Sequence, residues 1–141
     1  MTGNGQLSVE HKGRIYAFVL RANATSNEKY NFLTSPQDPL QLGMNFYDAG
    51  ETIKAHYHLP RKVETTQINE FILIGEGSAT LTLFDADDHT PFTELLLEKG
   101  DAVLLLAGGH AFKVHERTKI VEVKQGPYDG KTKDKVVFGG C

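Results

Sequence analysis

The sequence has 141 residues, a formal net charge of −3 and one cysteine, Cys141. This length is typical of one domain that can bury a core without disulfides or a structural metal. Because the chain lacks a basic cluster and an apolar run of membrane-spanning length, we expect neither nucleic acid nor a membrane as its partner. The single cysteine excludes an internal disulfide framework, and the early apolar run is too short for a signal peptide, so we expect a cytoplasmic protein.

The pattern of short apolar runs, 14 glycines and 5 prolines predicts an all-β fold with many turns. We expect residues 1–6, which are polar and glycine-rich, to be disordered. We expect the tail from residue 131 to pack as a last short strand or an arm. The predicted strands, in chain order, cover residues 14–21, 40–47, 52–59, 70–74, 78–84, 92–97, 102–107, 111–116 and 119–124.

A pair of histidines, His56 and His58, lies two residues apart in the third predicted strand. Side chains two apart on a strand point to the same face, so both imidazoles can reach one metal ion. Gly50 precedes the pair, and Glu70 opens the next apolar strand, which ends at Gly77. Two imidazoles need further ligands from elsewhere in the fold, and Glu70 could supply one of them.

A second stretch starts at Gly100 and Asp101, continues through an apolar run and ends at His110. Gly108 and Gly109 allow a sharp backbone bend immediately before that histidine. His110 is therefore the third histidine that can face a common site. We expect the remaining histidines at the surface: His11, His89 and His115.

The two stretches, residues 50–77 and 100–115, resemble the two sequence motifs of the cupin superfamily. The resemblance implies one cupin domain over residues 1–141, folded as a double-stranded β-helix, or jelly-roll, barrel. It also implies one divalent metal ion. Its ligands would be His56, His58, Glu70 and His110.

The chain departs from the family pattern in both motifs. Eleven residues separate His58 from Glu70, which is a longer spacer than the family has. Glu64 and Gln67 lie within this insertion and are alternative ligands. In the second motif, Leu106 and Val114 stand where the family has proline and asparagine. The insertion itself is either a surface loop or a rim over the barrel mouth, since long loops in compact domains are often functional.

Three imidazoles and a carboxylate suit Fe, Mn, Ni, Co, Cu or Zn, and they leave open coordination positions for a substrate. The strand parity of Ile72 and Ile74 matches that of Glu70, and the parity of Phe112 matches that of His110. We therefore expect these three side chains to line a small apolar pocket that takes a small organic molecule. A metal-dependent oxygenase, lyase or isomerase is the first functional hypothesis.

Two other functions remain open. Some cupins modify sugar nucleotides without a metal, with a histidine base and a tyrosine acid; here the base would be His58 or His110 and the acid Tyr57 or Tyr128. The other alternative is a binding protein without turnover. Because the strand that begins at Glu70 has apolar residues on both faces, one face must be covered by the N-terminal strands or by a second subunit. Cupins commonly pair through such a face, so the resemblance leads us to expect a homodimer.

Overall fold

The structure is a computed structural model that describes residues 4–139. Within these residues, the chain is built almost entirely from strands and contains one short helix, α1 (Lys131–Asp134). No helix in this range is long and apolar enough to cross a membrane. The strands are β1 (Gln6–His11), β2 (Arg14–Leu20), β3 (Tyr30–Phe32), β4 (Gly43–Asn45), β5 (Glu70–Glu76), β6 (Ser78–Phe84), β7 (Pro91–Glu98), β8 (Ala102–Leu105), β9 (Gly109–Val114) and β10 (Lys119–Lys124).

The strands form a five-stranded sheet in the order β1-β2-β8-β5-β10 and a three-stranded sheet in the order β7-β6-β9. Strands β3 and β4 form a separate hairpin. The ladders are antiparallel, which confirms the predicted all-β class. None of these sheets closes on itself among residues 4–139, so each keeps two open edges.

The main hydrophobic core combines side chains from the five-stranded and the three-stranded sheet. Most of its members are apolar side chains at alternate strand positions, as expected for sheet faces that bury one side. Burial of this apolar surface is the main source of the stability of the fold. The core residues are Val9, Tyr16, Ala17, Val19, Ile72, Ile74, Leu81, Leu83, Leu97, Val103 and Leu105.

A second apolar cluster covers the other face of the five-stranded sheet. Phe71 of β5 packs there, beside Phe18, Leu104 and Leu106. Leu42, from the segment that precedes β4, is buried in the same cluster. This segment of the same chain therefore covers part of the β5 face that lies opposite Glu70.

Most predicted strands from residue 70 onward match the structure closely: β6 and β10 have the predicted bounds, and β5 begins at the predicted Glu70. Sequence patterns missed β1 and β3. Residues 4–6 were expected to be disordered, but Gln6 begins β1, and the Gly5 carbonyl accepts a hydrogen bond from the Arg21 N–H at 2.8 Å. The first three residues and the last two lie outside the described range, so the expectation for residues 1–3 and for Cys141 is untouched.

The strand predicted over residues 52–59 is wrong. Residues 51–66, called the histidine arm below, are exposed throughout and belong to no strand. The apolar side chains Ile53, Tyr57 and Leu59, whose alternate positions favoured a strand, are 59%, 84% and 72% exposed. Alternation alone does not make a strand, because the backbone N–H and C=O groups need a partner strand, and here the arm has none.

The hairpin between β6 and β7 was predicted to be an acidic, solvated tip, but its first carboxylate is buried. Asp85 accepts hydrogen bonds from the N–H groups of Asp87 and Asp88 and lies 2.9 Å from Lys12 Nζ. His11 Nε2 lies 3.0 Å from the same carboxylate, and its ring stacks on Phe92 at 4.0 Å. His11 is therefore half-buried, contrary to expectation, and ties the β1–β2 turn to this hairpin.

Candidate functional site

The most distinctive pair of functional side chains is Glu70 and His110. Glu70 begins β5 in the five-stranded sheet, and His110 is the second residue of β9 in the three-stranded sheet. Their Oε2 and Nε2 atoms are 3.3 Å apart, and the side chains are 18% and 33% exposed. The structure therefore joins two of the predicted site residues across the two sheets.

A glycine makes the approach of His110 possible. Gly108 has φ +69°, a left-handed conformation that favours glycine. A Cβ atom built there would lie 2.5 Å from Cε1 of the Tyr16 ring, so the close packing also excludes a side chain. The predicted bend thus turns the chain from β8 of one sheet into β9 of the other and delivers His110 opposite Glu70.

The pair lines a cavity of about 350 Å³. Sequence patterns predicted a dry, apolar pocket, but the lining is mixed and rich in charged groups. The lining residues are Gln67, Ile68, Glu70, Leu105, Leu106, Ala107, Gly108, His110, Glu122, Lys124, Asp134 and Lys135.

The predicted apolar lining lies elsewhere. Ile72 and Ile74 do share the inward face of Glu70, but they are 1% and 0% exposed within the main core and line no part of this cavity. Phe112 packs half-buried against the same core. The reason is that side chains such as Leu81 and Leu83 from the facing sheet fill the interior below Glu70, so only the open end remains as a cavity.

Electrostatics at the pair follow from its geometry. The hydrogen bond with His110 lowers the pKa of the Glu70 carboxyl, and partial burial opposes this effect. Nearby, Lys124 Nζ lies 3.0 Å from Asp134 Oδ2, and this contact raises the pKa of Lys124. The cavity wall therefore places the Glu70 carboxylate beside the His110 imidazole, and the Lys124 ammonium group beside the Asp134 carboxylate.

The predicted ligands His56 and His58 lie apart from this pair. Both belong to the exposed histidine arm, where their ring centroids are 5.5 Å apart and His56 Nδ1 lies 2.8 Å from the Lys54 carbonyl oxygen. In the described part of the chain, no three His, Cys, Asp or Glu side chains converge in a way that could hold a metal ion. The arm therefore does not bring its histidines to Glu70 and His110.

Of the two alternative ligands, only Gln67 lies at the cavity. Glu64 is absent from the cavity lining, is 77% exposed and pairs with Lys62 at 2.8 Å. Gln67 lines the cavity and donates a hydrogen bond from Nε2 to the Leu106 carbonyl oxygen at 2.5 Å. Of the insertion between His58 and Glu70, the part up to residue 66 is a surface loop, whereas Gln67 and Ile68 form part of the cavity rim.

The predicted ligands do not have the arrangement that a four-ligand metal centre requires. Only Glu70 and His110 converge, and the Gln67 amide is engaged with a backbone carbonyl. Four-ligand coordination by protein side chains requires all donors within about 2–2.3 Å of one ion. As arranged in this structure, the residues do not fit that centre.

The candidate tyrosine acids are also absent from the cavity lining. Tyr57 lies on the histidine arm and is 84% exposed. Tyr128 is 63% exposed, and Lys124 Nζ lies 5.6 Å from the centroid of its ring. Neither ring therefore faces His110 as a proton donor would.

Four charged lining residues were not predicted from the sequence: Glu122, Lys124, Asp134 and Lys135. For Glu122 and Lys124, the strand pattern of the sequence contained a signal. In the β5–β10 ladder, Lys124 pairs with Glu70 and Glu122 pairs with Ile72, so both share the inward face of β5. Charged residues at inward strand positions indicate a polar cavity, but this requires the register between the strands.

Comparisons of the chain with protein-family models, with curated proteins and with solved structures find no match.

Proposed function

We propose that this chain is a cupin-type protein, a double-stranded β-helix, that binds a small polar organic molecule in the cavity at Glu70 and His110. We propose further that it moves a proton on that molecule, in a reaction of the isomerase, epimerase or lyase type. The observation that carries this proposal is the 3.3 Å contact between Glu70 Oε2 and His110 Nε2 at the cavity wall.

The contact defines a role for each group. With Nε2 facing a carboxylate, the Nε2–H tautomer is favoured, which leaves Nδ1 of His110 as the proton acceptor. When Nδ1 takes a proton from a substrate, the Glu70 carboxylate stabilises the imidazolium that forms. Because the pKa of Glu70 is lowered, this carboxylate stays ionised across the pH range in which histidine acts as a base.

The cavity supports a small, polar ligand. Its volume of about 350 Å³ lies near the lower end for small-molecule sites. The wall carries acids and bases together with the apolar side chains of Leu105 and Leu106, so a ligand with hydroxyl or carbonyl groups and a short carbon skeleton suits it better than a polymer.

The test is exchange of substrate hydrogen with solvent deuterium. Compounds that raise the melting temperature of the protein, selected from sugar nucleotides, sugars and hydroxy acids, are incubated in deuterium oxide and followed by proton NMR. We expect exchange with the native chain, loss of exchange with His110→Gln and a strong reduction with Glu70→Gln, while binding persists. Exchange that persists unchanged in His110→Gln would contradict the proposal.

A second candidate is the metal-dependent enzyme that the sequence motifs suggested. The observation in its favour is that a carboxylate and an imidazole, two of the four expected ligands, already adjoin each other. The remaining ligands, His56 and His58, would have to reach the pair by a rearrangement of the histidine arm. A homodimer also remains a proposal, and sedimentation velocity measures it directly.

A further inference from the structure

The segment after β10 returns to the cavity. After an exposed turn, residues 131–139, called the C-terminal strap below, begin with α1 and continue without regular structure. Asp134 and Lys135 line the same cavity as Glu70 and His110. The strap therefore supplies one wall of a cavity whose other walls belong to strands of the two sheets and to the segments that adjoin these strands.

One anchor of the strap is electrostatic. Asp134 Oδ2 lies 3.0 Å from Nζ of Lys124, at the end of β10, and the two side chains are 21% and 25% exposed. A partly exposed ion pair of this kind holds a segment weakly, since water competes for both charges. This anchor can form and break without disturbing the sheet that carries Lys124.

The other anchor is aromatic. The Phe138 ring lies edge-on to Phe84 with centroids 5.2 Å apart, and it stacks on His89 at 4.8 Å. It also covers Gly109, where an added Cβ atom would lie only 2.6 Å from Phe138 Cζ. Gly109 immediately precedes His110, so this anchor closes the strap over the start of β9.

Between the anchors the strap is hardly held. Val136 and Val137 are 85% and 72% exposed, and α1 has no buried residue. A segment with few buried contacts opens at a low free-energy cost compared with the core strands. The strap thus has the properties of a cover that is fixed at two points and can detach as a unit.

We propose that the C-terminal strap gates the cavity: it restricts access to the wall that carries His110 when Asp134 and Phe138 are seated, and a ligand enters or leaves when both are released. The gate rests on the proposed function in one respect, namely that this cavity is the ligand site. Whether the strap controls access to His110 can be tested without any ligand.

The experiment measures the rate of carbethoxylation of each histidine by diethyl pyrocarbonate, read by peptide mass spectrometry at a pH where the imidazoles are neutral. The test protein is the full chain with Asp134→Asn and Phe138→Ala. We expect a several-fold faster modification of His110 than in the native chain. His58, on the distant and exposed histidine arm, provides the internal reference and should react at an unchanged rate.

The matched control is Val136→Ala, which changes an exposed residue of the same strap and leaves both anchors in place. Its His110 rate should equal that of the native chain. An independent variant, Gly109→Ala, removes the space for the Phe138 ring from the other side and should also accelerate modification of His110. Circular dichroism identifies a variant that fails to fold, and the other variant then decides the matter.

Two results would overturn the gate: a His110 rate unchanged in both anchor variants, or a faster rate at His89 alone, which would mean that Phe138 detaches without opening the cavity. The proposed function can be rejected independently of the gate. A faster His110 rate combined with no ligand-dependent proton exchange would keep the gate and reject the proton-transfer reaction.

Discussion

The Glu70 carboxylate and the His110 imidazole come from different sheets and lie 3.3 Å apart. Their contact ties the start of β5, an interior strand of the five-stranded sheet, to the start of β9, an edge strand of the three-stranded sheet. The site is thus formed by tertiary structure, since the two residues are forty positions apart in the chain.

This contact predicts a change in the pKa of Glu70. Because the hydrogen bond with His110 is the main cause of the lowered pKa, His110→Ala should raise the pKa of Glu70 toward or above its ordinary value, and burial acts in the same direction. Titration of the side-chain carboxyl by carbon-13 NMR measures it. A pKa that stays low in the variant would show that another group holds the carboxylate.

The same contact predicts a pH-dependent contribution to stability. A lowered folded-state pKa stabilises the protein at pH values above the ordinary carboxyl pKa, and this contribution is lost as the pH falls through the lowered value. We expect Glu70→Gln to reduce the free energy of unfolding by about 0.5–1 kcal/mol at neutral pH, because the pair is partly exposed. In strong acid the native chain and the variant should converge, as measured by urea denaturation.

The buried carboxylate of Asp85 predicts a larger effect. Lys12 and the N–H groups of Asp87 and Asp88 lower its pKa far below the ordinary range. Asp85→Asn should therefore destabilise the protein at every pH above the ordinary carboxyl pKa, and the difference should shrink only in strong acid. Asp87→Asn changes an exposed neighbour and is the matched control in the same thermal and urea experiments. Equal stability of the two variants would contradict the prediction.

The core between the sheets predicts where truncation is costly. Leu81 of β6 is fully buried in the main core, whereas Leu96 of β7 is 50% exposed on the same three-stranded sheet. Leu81→Ala should reduce the free energy of unfolding by about 2–5 kcal/mol through lost burial and a cavity. Leu96→Ala should change it by no more than about 0.5 kcal/mol. Urea denaturation of the two variants would refute this if their losses were similar.

The separation of the histidines predicts weak metal binding. With only Glu70 and His110 adjoining, we expect divalent metal to be washed out on gel filtration and its content to be equal in the native chain and a His56→Ala, His58→Ala variant. Elemental analysis of protein purified without an affinity tag measures this. Retention of about one metal per chain, lost in the variant, would show that the histidine arm folds onto the pair and would favour the metal-dependent function.

Sequence patterns located the strands that carry the core but not the arm. β5, β6 and β10 have strong apolar periodicity, and their partners in the sheets satisfy their backbone groups. Residues 52–59 show a similar alternation, but a local pattern contains no information on whether a partner edge will receive the segment. The same limit explains why the short strand β3, which pairs only with β4, was missed.

Only the part of the site that depends on local sequence features was predicted. Glu70 and His110 were identified from strand ends and from the bend at Gly108, which are local features. The cavity wall formed by Asp134 and Lys135 depends on where the C-terminal strap returns, and composition gives no information on that. Ile72 and Ile74 have the predicted strand parity. They are buried rather than lining a pocket because side chains of the facing sheet pack against them.

Because the histidine arm is exposed and belongs to no strand, we expect a cut within it to leave the fold intact. A protease that cuts within residues 51–66 would leave β1 and β2 on one fragment and β8 on the other. The ladder from Ala17 with Leu105 to Leu20 with Ala102, together with the shared core, would hold the fragments together. The nicked protein should therefore migrate as one particle in native conditions and as two chains in denaturant.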